Sequence, residues 1–164
     1  MKKASPTASF SRRILWYVVL GFSLYWLGNI LAVFPWLLSK ILGVITMFLS
    51  ILLWAYMSYY SLRRVAPEIR NKDTVVMAII FLLTAVIQDY LLYAVYRDIP
   101  NELYEPTTFL AYGLILLIPF IVRYIFLRKD SVGSIGAVTY PVYFVTAFIG
   151  ICSLILTLWS IRFW

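Results

Sequence analysis

Residues 74–96 read TVVMAIIFLLTAVIQDYLLYAVY, 23 positions with one charge among them, Asp89. As an α-helix this segment is about 34 Å long at about 1.5 Å per residue, enough to cross a hydrocarbon core of about 30 Å. The same pattern recurs on either side. Residues 14–34 hold no charge at all, and apolar runs follow at 41–62, 107–127 and 137–160. The chain as a whole is 63% hydrophobic and 13% charged, with a mean hydropathy of +0.91. A soluble domain of 164 residues has nowhere to hide that much apolar surface, so lipid has to be part of its solvent. The expected fold is an all-α, polytopic transmembrane bundle of five spans.

Between the runs the sequence turns polar. Residues 1–13, MKKASPTASFSRR, read as a disordered cytoplasmic tail, and residues 14–164 as a single transmembrane domain. Pro35 and Lys40 bracket a tight turn, and residues 63–73 form a charged loop. Residues 97–106 form an acidic loop with Asp98, Glu102 and Glu105. Residues 131–136 are a Gly/Ser stretch. Pro119 predicts a kink in the fourth span. Pro141 and the Gly/Ser stretch also suit four spans followed by an interfacial or re-entrant segment. Trp159, Phe163 and Trp164 suit an interfacial anchor at the far end.

The positions of Lys and Arg predict the orientation. With the N-terminus inside, Lys2, Lys3, Arg12, Arg13, Arg63, Arg64, Arg70, Lys72, Arg123, Arg128 and Lys129 face the cytoplasm. Only Lys40, Arg97 and Arg162 lie outside. This bias suits a plasma membrane, the bacterial inner membrane being the expected one, with the C-terminus outside. It also accounts for the net charge of +7 without nucleic acid as a partner, because the basic residues have no domain of their own to sit on.

Much chemistry is excluded by composition. There is no His, and Cys152 is the sole cysteine, so disulfides within the chain, His-ligated haem and zinc sites are out. No Ser-His-Asp set, Gly-rich phosphate loop or paired intramembrane carboxylates appear, and the expectation is a chain that is not an enzyme, with no cofactor and no metal site. Cys152 sits near Ala147, Gly150 and Ser153 and reads as helix-packing filler.

Asp89 is the residue that asks for an explanation, because a carboxylate inside a span costs about 2.5–3.5 kcal/mol on insertion scales. Counting from the helix ends places Asp89, Asn29 and Tyr112 at a common depth of about 8–10 Å below the outer surface. Ala78, Ala85 and Tyr96 share the Asp89 stripe. Gly21, Tyr25, Gly28 and Ala32 form a matching small-residue stripe on the first span, with Asn29 at its edge. The first, third and fourth spans are therefore expected to close around a small polar cluster of Asp89, Asn29 and Tyr112. Gln88 points about 100° away, toward another helix or subunit. Arg123 lies too deep to meet Asp89 and is expected to reach the inner headgroups with Arg128 and Lys129.

Residues 85–117, AVIQDYLLYAVYRDIPNELYEPTTFLAYGLILL, resemble a family of small uncharacterised bacterial membrane proteins of about four helices. In that family an intramembrane Asp precedes a Pro-Asn pair and an aromatic-rich helix, positions held here by Asp89, Pro100 and Asn101. The longer C-terminal end and Gln88 before the Asp depart from it. The resemblance implies a helical membrane protein and brings no activity with it.

The leading expectation is a non-enzymatic accessory or structural subunit whose partners are the lipid bilayer and other membrane subunits or further copies of itself. The alternative is a small transporter or channel component with a proton or cation site at Asp89. A third, a membrane-embedded lipid-modifying enzyme, would need polar residues gathered at one interface. Only the 63–73 loop approaches that, and topology accounts for its charges.

Overall fold

In the computed structural model, residues 9–128 and 136–161 are described, save the side chains of 32–34, 36 and 37. Among them are five helices long and apolar enough to cross a membrane, and no strand. They are α1 (Phe10–Leu38), α2 (Lys40–Leu62), α3 (Pro67–Asp89), α4 (Pro106–Ile121) and α5 (Tyr140–Ile161). Beyond Asp89, α3 widens into a π-helical segment, Tyr90–Tyr96, and α4 does the same at Val122–Phe126. Large apolar side chains stand exposed on all five helices, among them Leu15, Phe48, Leu83, Phe109 and Phe144. That belt is what lipid would cover, and the chain is a multi-pass helical membrane protein.

Several boundaries differ from those expected. Ser9 caps α1 by accepting the Arg12 backbone N–H, so the helix starts at Phe10 and takes in four residues assigned to the tail. At its other end α1 runs through Pro35 to Leu38, and Ser39 alone separates it from α2. The largest correction is α3. Pro67 opens it at the first helical position, so Glu68, Arg70, Lys72 and Asp73 are helical and the connecting turn is only 63–66. Pro119 lies buried within α4, and the helix widens from Val122, three residues later. α5 is a full 22-residue helix with Pro141 in its first turn, where the missing N–H costs nothing, which settles five spans over four. Residues 1–8, Lys129, Asp130, 131–135, Arg162, Phe163 and Trp164 lie outside the described residues.

α1 is the hub. It packs on α2, α3 and α5, while α4 closes a ring by packing on α3 and α2. Small residues permit the close crossings. A Cβ at Gly21 would sit 3.2 Å from Phe81 and 2.6 Å from the Thr84 hydroxyl of α3. One at Gly150 would sit 2.8 Å from the Ser23 Cα of α1. Ser23 uses that proximity to donate to the Thr146 carbonyl of α5 at 2.8 Å. Tyr143, Gly150, Ser153, Thr157 and Ser160 form the buried stripe of α5, and Ala78 and Ala85 lie fully inside α3.

The ends where α1, α3 and α5 begin and α2 and α4 finish make up the basic end of the bundle. Polar side chains weld it shut. Arg13 grips Asp73 with both arms of its guanidinium, at 2.7 and 3.2 Å, and the Tyr17 hydroxyl donates to the same carboxylate at 2.7 Å. Arg70 is wholly buried and donates to the Leu62 and Val65 carbonyls at 3.1 and 3.0 Å, capping the end of α2. Trp16 donates to Ser61, and Tyr143 to the Arg12 carbonyl. Arg12 bonds the Val138 carbonyl at 2.8 Å and lies 4.4 Å over the Tyr140 ring.

Arg123 belongs to this network as well, which corrects its assignment as a headgroup anchor. Its side chain is buried, donating to Asn71 of α3 at 2.7 Å and to the Leu127 carbonyl. The partner that draws it inward, Asn71, lies on the part of α3 that reads as loop in the sequence. Arg128 is exposed.

Candidate functional site: a carboxylate on an open cavity

At the opposite end the ring of α1, α2, α3 and α4 does not close. It surrounds a cavity of about 320 Å³, to which each of the four helices contributes a wall. From α1 come Tyr25 and, one helical turn on, Gly28 and Asn29. The α3 wall is Ala85, Asp89 and, on the widened segment, Tyr93. Widened turns of this kind recur at functional sites because they re-aim side chains out of the regular helical register. Thr107, Thr108, Ala111 and Tyr112 line it from the first turns of α4.

Asp89 is half-buried and has phenols for partners. The Tyr25 hydroxyl of α1 donates to its Oδ1, and the Tyr112 hydroxyl of α4 reaches the same carboxylate. Asn29 does not touch it. Its amide donates to the Tyr25 carbonyl one turn back, at 3.0 Å, so it shapes the wall beside Tyr25. Among the described residues no lysine or arginine forms a salt bridge with Asp89, whereas Asp73 at the other end is paired with Arg13.

The sequence reading gathers Asp89, Asn29 and Tyr112 at one depth, and all three line this cavity. Gln88 does not. It is buried off the wall, its amide donating to the Thr84 carbonyl of its own helix at 2.9 Å and its Oε1 without a partner. Gly21 and Gly28 face different helices: Gly21 meets α3, whereas Gly28 looks across at Ser50 and Trp54 of α2.

The second helix is what the sequence reading omits. Met47, Ser50, Ile51 and Trp54 of α2 complete the cavity, and no charge in that span draws attention to them. Their offsets of three and four residues mark one face, which is the only signal available. Trp54 is held edge-on against Phe81, with ring centroids 5.0 Å apart. Ser50 Oγ is shielded from solvent and has no hydrogen-bond partner. Thr46, one turn earlier, instead turns its hydroxyl back onto the Leu42 carbonyl.

No family model matches the chain, and no curated protein or solved structure does either. The case for a function therefore rests on the geometry of the cavity. Its chemistry is that of a pocket with one carboxylate, several hydroxyls and an otherwise apolar, aromatic lining, a common composition for small-molecule sites. Among the described residues, no cluster of three or more His, Cys, Asp or Glu is gathered anywhere.

Proposed function

We propose that this protein is a small transporter or channel component that binds a proton or cation at Asp89. One observation carries the reading: the carboxylate stands on the wall of an open cavity, its partners hydroxyls that can give way to a ligand. A carboxylate that only ties helices together belongs between them, paired and enclosed, as Asp73 is. In a low-dielectric layer Asp89 can hold a proton or a cation but gains little from holding both, and that exclusivity is the elementary step of coupled transport. The basic end then faces the cytoplasm of a bacterial inner membrane and the cavity opens on the other side, as the distribution of Lys and Arg favours.

The test is proton flux into proteoliposomes under an imposed potential. Wild-type protein should carry a flux that falls at least tenfold in Asp89→Asn, a change that keeps shape and removes charge. Equal flux in the two proteins would end the transport reading. Orientation is tested separately: Asp98→Cys in a Cys152→Ser background should react with a membrane-impermeant maleimide on intact cells, and labelling only after lysis would reverse it.

A further inference from the structure

Resting on that reading of Asp89, we infer that the cavity's ligand is an organic ammonium ion carrying an apolar body, rather than a metal cation. The donor set speaks against the metal first. A hard cation such as Ca²⁺ takes about six to eight oxygen ligands in a defined shell. The cavity supplies a single carboxylate, the other oxygens of its lining are neutral phenols, hydroxyls and an amide, and among the described residues no cluster of three or more His, Cys, Asp or Glu is gathered.

What surrounds Asp89 instead is aromatic. Tyr25, Trp54, Tyr93 and Tyr112 come from α1, α2, α3 and α4 in turn, so each helix of the ring brings one ring system to the cavity wall. Aromatic faces attract an ammonium through their quadrupole, Trp most strongly, and do so better where water is displaced. A single carboxylate set among such rings supplies the countercharge. The rest of the lining, with Met47, Ile51 and Ile115 among it, is suited to a hydrocarbon or aryl body and offers nothing to a hydrated ion. At about 320 Å³ the space matches the small end of the range for drug-sized molecules, roughly 300–1,000 Å³.

The connection that leads into the cavity has the matching sign. Asp98, Glu102 and Glu105 sit in the exposed connection between α3 and α4, immediately before Thr107 and Thr108 of the wall. Lys40 and Arg97 share that end, and the charge pattern assigns Arg162 to the same side, so the three loop acids and the three bases offset one another and Asp89 is the charge left over. Most of the arginines, Arg12, Arg13, Arg63, Arg64 and Arg70 among them, are gathered at the far end, whereas Arg97 stands at the cavity's end, 5.7 Å over the Tyr93 ring. A diffusing ammonium is drawn toward the cavity and not toward the basic end.

The probe is benzyltrimethylammonium, with neopentylbenzene as its uncharged isostere, tested by equilibrium dialysis of the full-length protein in nanodiscs. The radiolabelled cation should bind saturably. Neopentylbenzene should displace it at least tenfold less well than unlabelled cation, and Na⁺ or Ca²⁺ at equal concentration should not displace it. Binding should weaken at least tenfold in Asp89→Asn and about three- to tenfold in Trp54→Leu. Gly28→Ala provides an independent handle, since it narrows the cavity without touching Asp89. A Cβ there meets Ser50 Oγ at 3.7 Å, an ordinary contact, so the fold accommodates it and ligand binding should still drop.

Absence of saturable binding, equal displacement by the isostere, or displacement by Ca²⁺ would each overturn the ligand class. The two readings fail separately. Proton flux that needs Asp89 with no ammonium binding leaves the proton site standing and removes the organic cation. Ammonium binding that persists unchanged in Asp89→Asn, with unchanged flux, removes both.

Discussion

Asp73 and Asp89 lie 16 residues apart on the same helix, and both accept a hydrogen bond from a tyrosine of α1, yet their surroundings are opposite in kind. Asp73 is 3% exposed and held by both arms of Arg13 as well as by Tyr17. Asp89 is half-buried beside a cavity and has phenols where Asp73 has a guanidinium. A neutralised, enclosed carboxylate fastens helices together. One that lines a cavity and is bound by hydroxyls rather than by a guanidinium is placed to meet a ligand.

That contrast predicts a graded series of stabilities, measured by thermal or denaturant unfolding in one detergent. The largest loss should come from Asp73→Ala, which removes the buried carboxylate that Arg13 and Tyr17 both bind and should cost about 3–5 kcal/mol. If it costs no more than Asp89→Ala, the two ends are not different in the way described. Gly150→Ala should come next, at about 1–3 kcal/mol, because its Cβ meets the Ser23 backbone, which cannot swing aside as a side chain can. Tyr17→Phe should cost about 0.5–1.5 kcal/mol as a buried carboxylate loses one donor, and Tyr25→Phe less, since Asp89 opens on the cavity. At the bottom of the series, Asp89→Asn should leave stability unchanged or raise it by up to about 1 kcal/mol, the usual direction when a strained functional group is removed. A marked loss there would make Asp89 a fastener like Asp73.

The five spans are legible in the sequence because each is a long, nearly uncharged run, and lipid rewards that property with no help from tertiary contacts. The first two turns of α3 are not legible. Glu68, Arg70, Asn71, Lys72 and Asp73 have the composition of a loop, and they become helical because Pro67 starts the helix and because α1, α2 and α4 supply partners. Those partners are as distant as Arg13, which is 60 positions away from Asp73, and counting charges for topology treats both as solvated. The same blindness misplaces Arg123, whose partner is Asn71.

At the cavity, helix arithmetic puts Asp89, Asn29 and Tyr112 in one layer, since depth depends only on rise per residue. It does not reveal that Tyr25 donates to Asp89, because Tyr25 reads equally well as part of a packing stripe. Nor does it reveal Trp54, because which face of α2 turns inward is settled by how the ring of four helices closes.

The position of α5 outside that ring bears on how the protein is assembled. It docks chiefly on α1, the first of the five to be synthesised, and it is itself the last of them. The flank of α1 that holds Ser23 must therefore wait in the bilayer until synthesis reaches Gly150. The niche around Asp89 is already complete by then, so a nascent chain halted after α4 should possess the pocket before it possesses its final buttress.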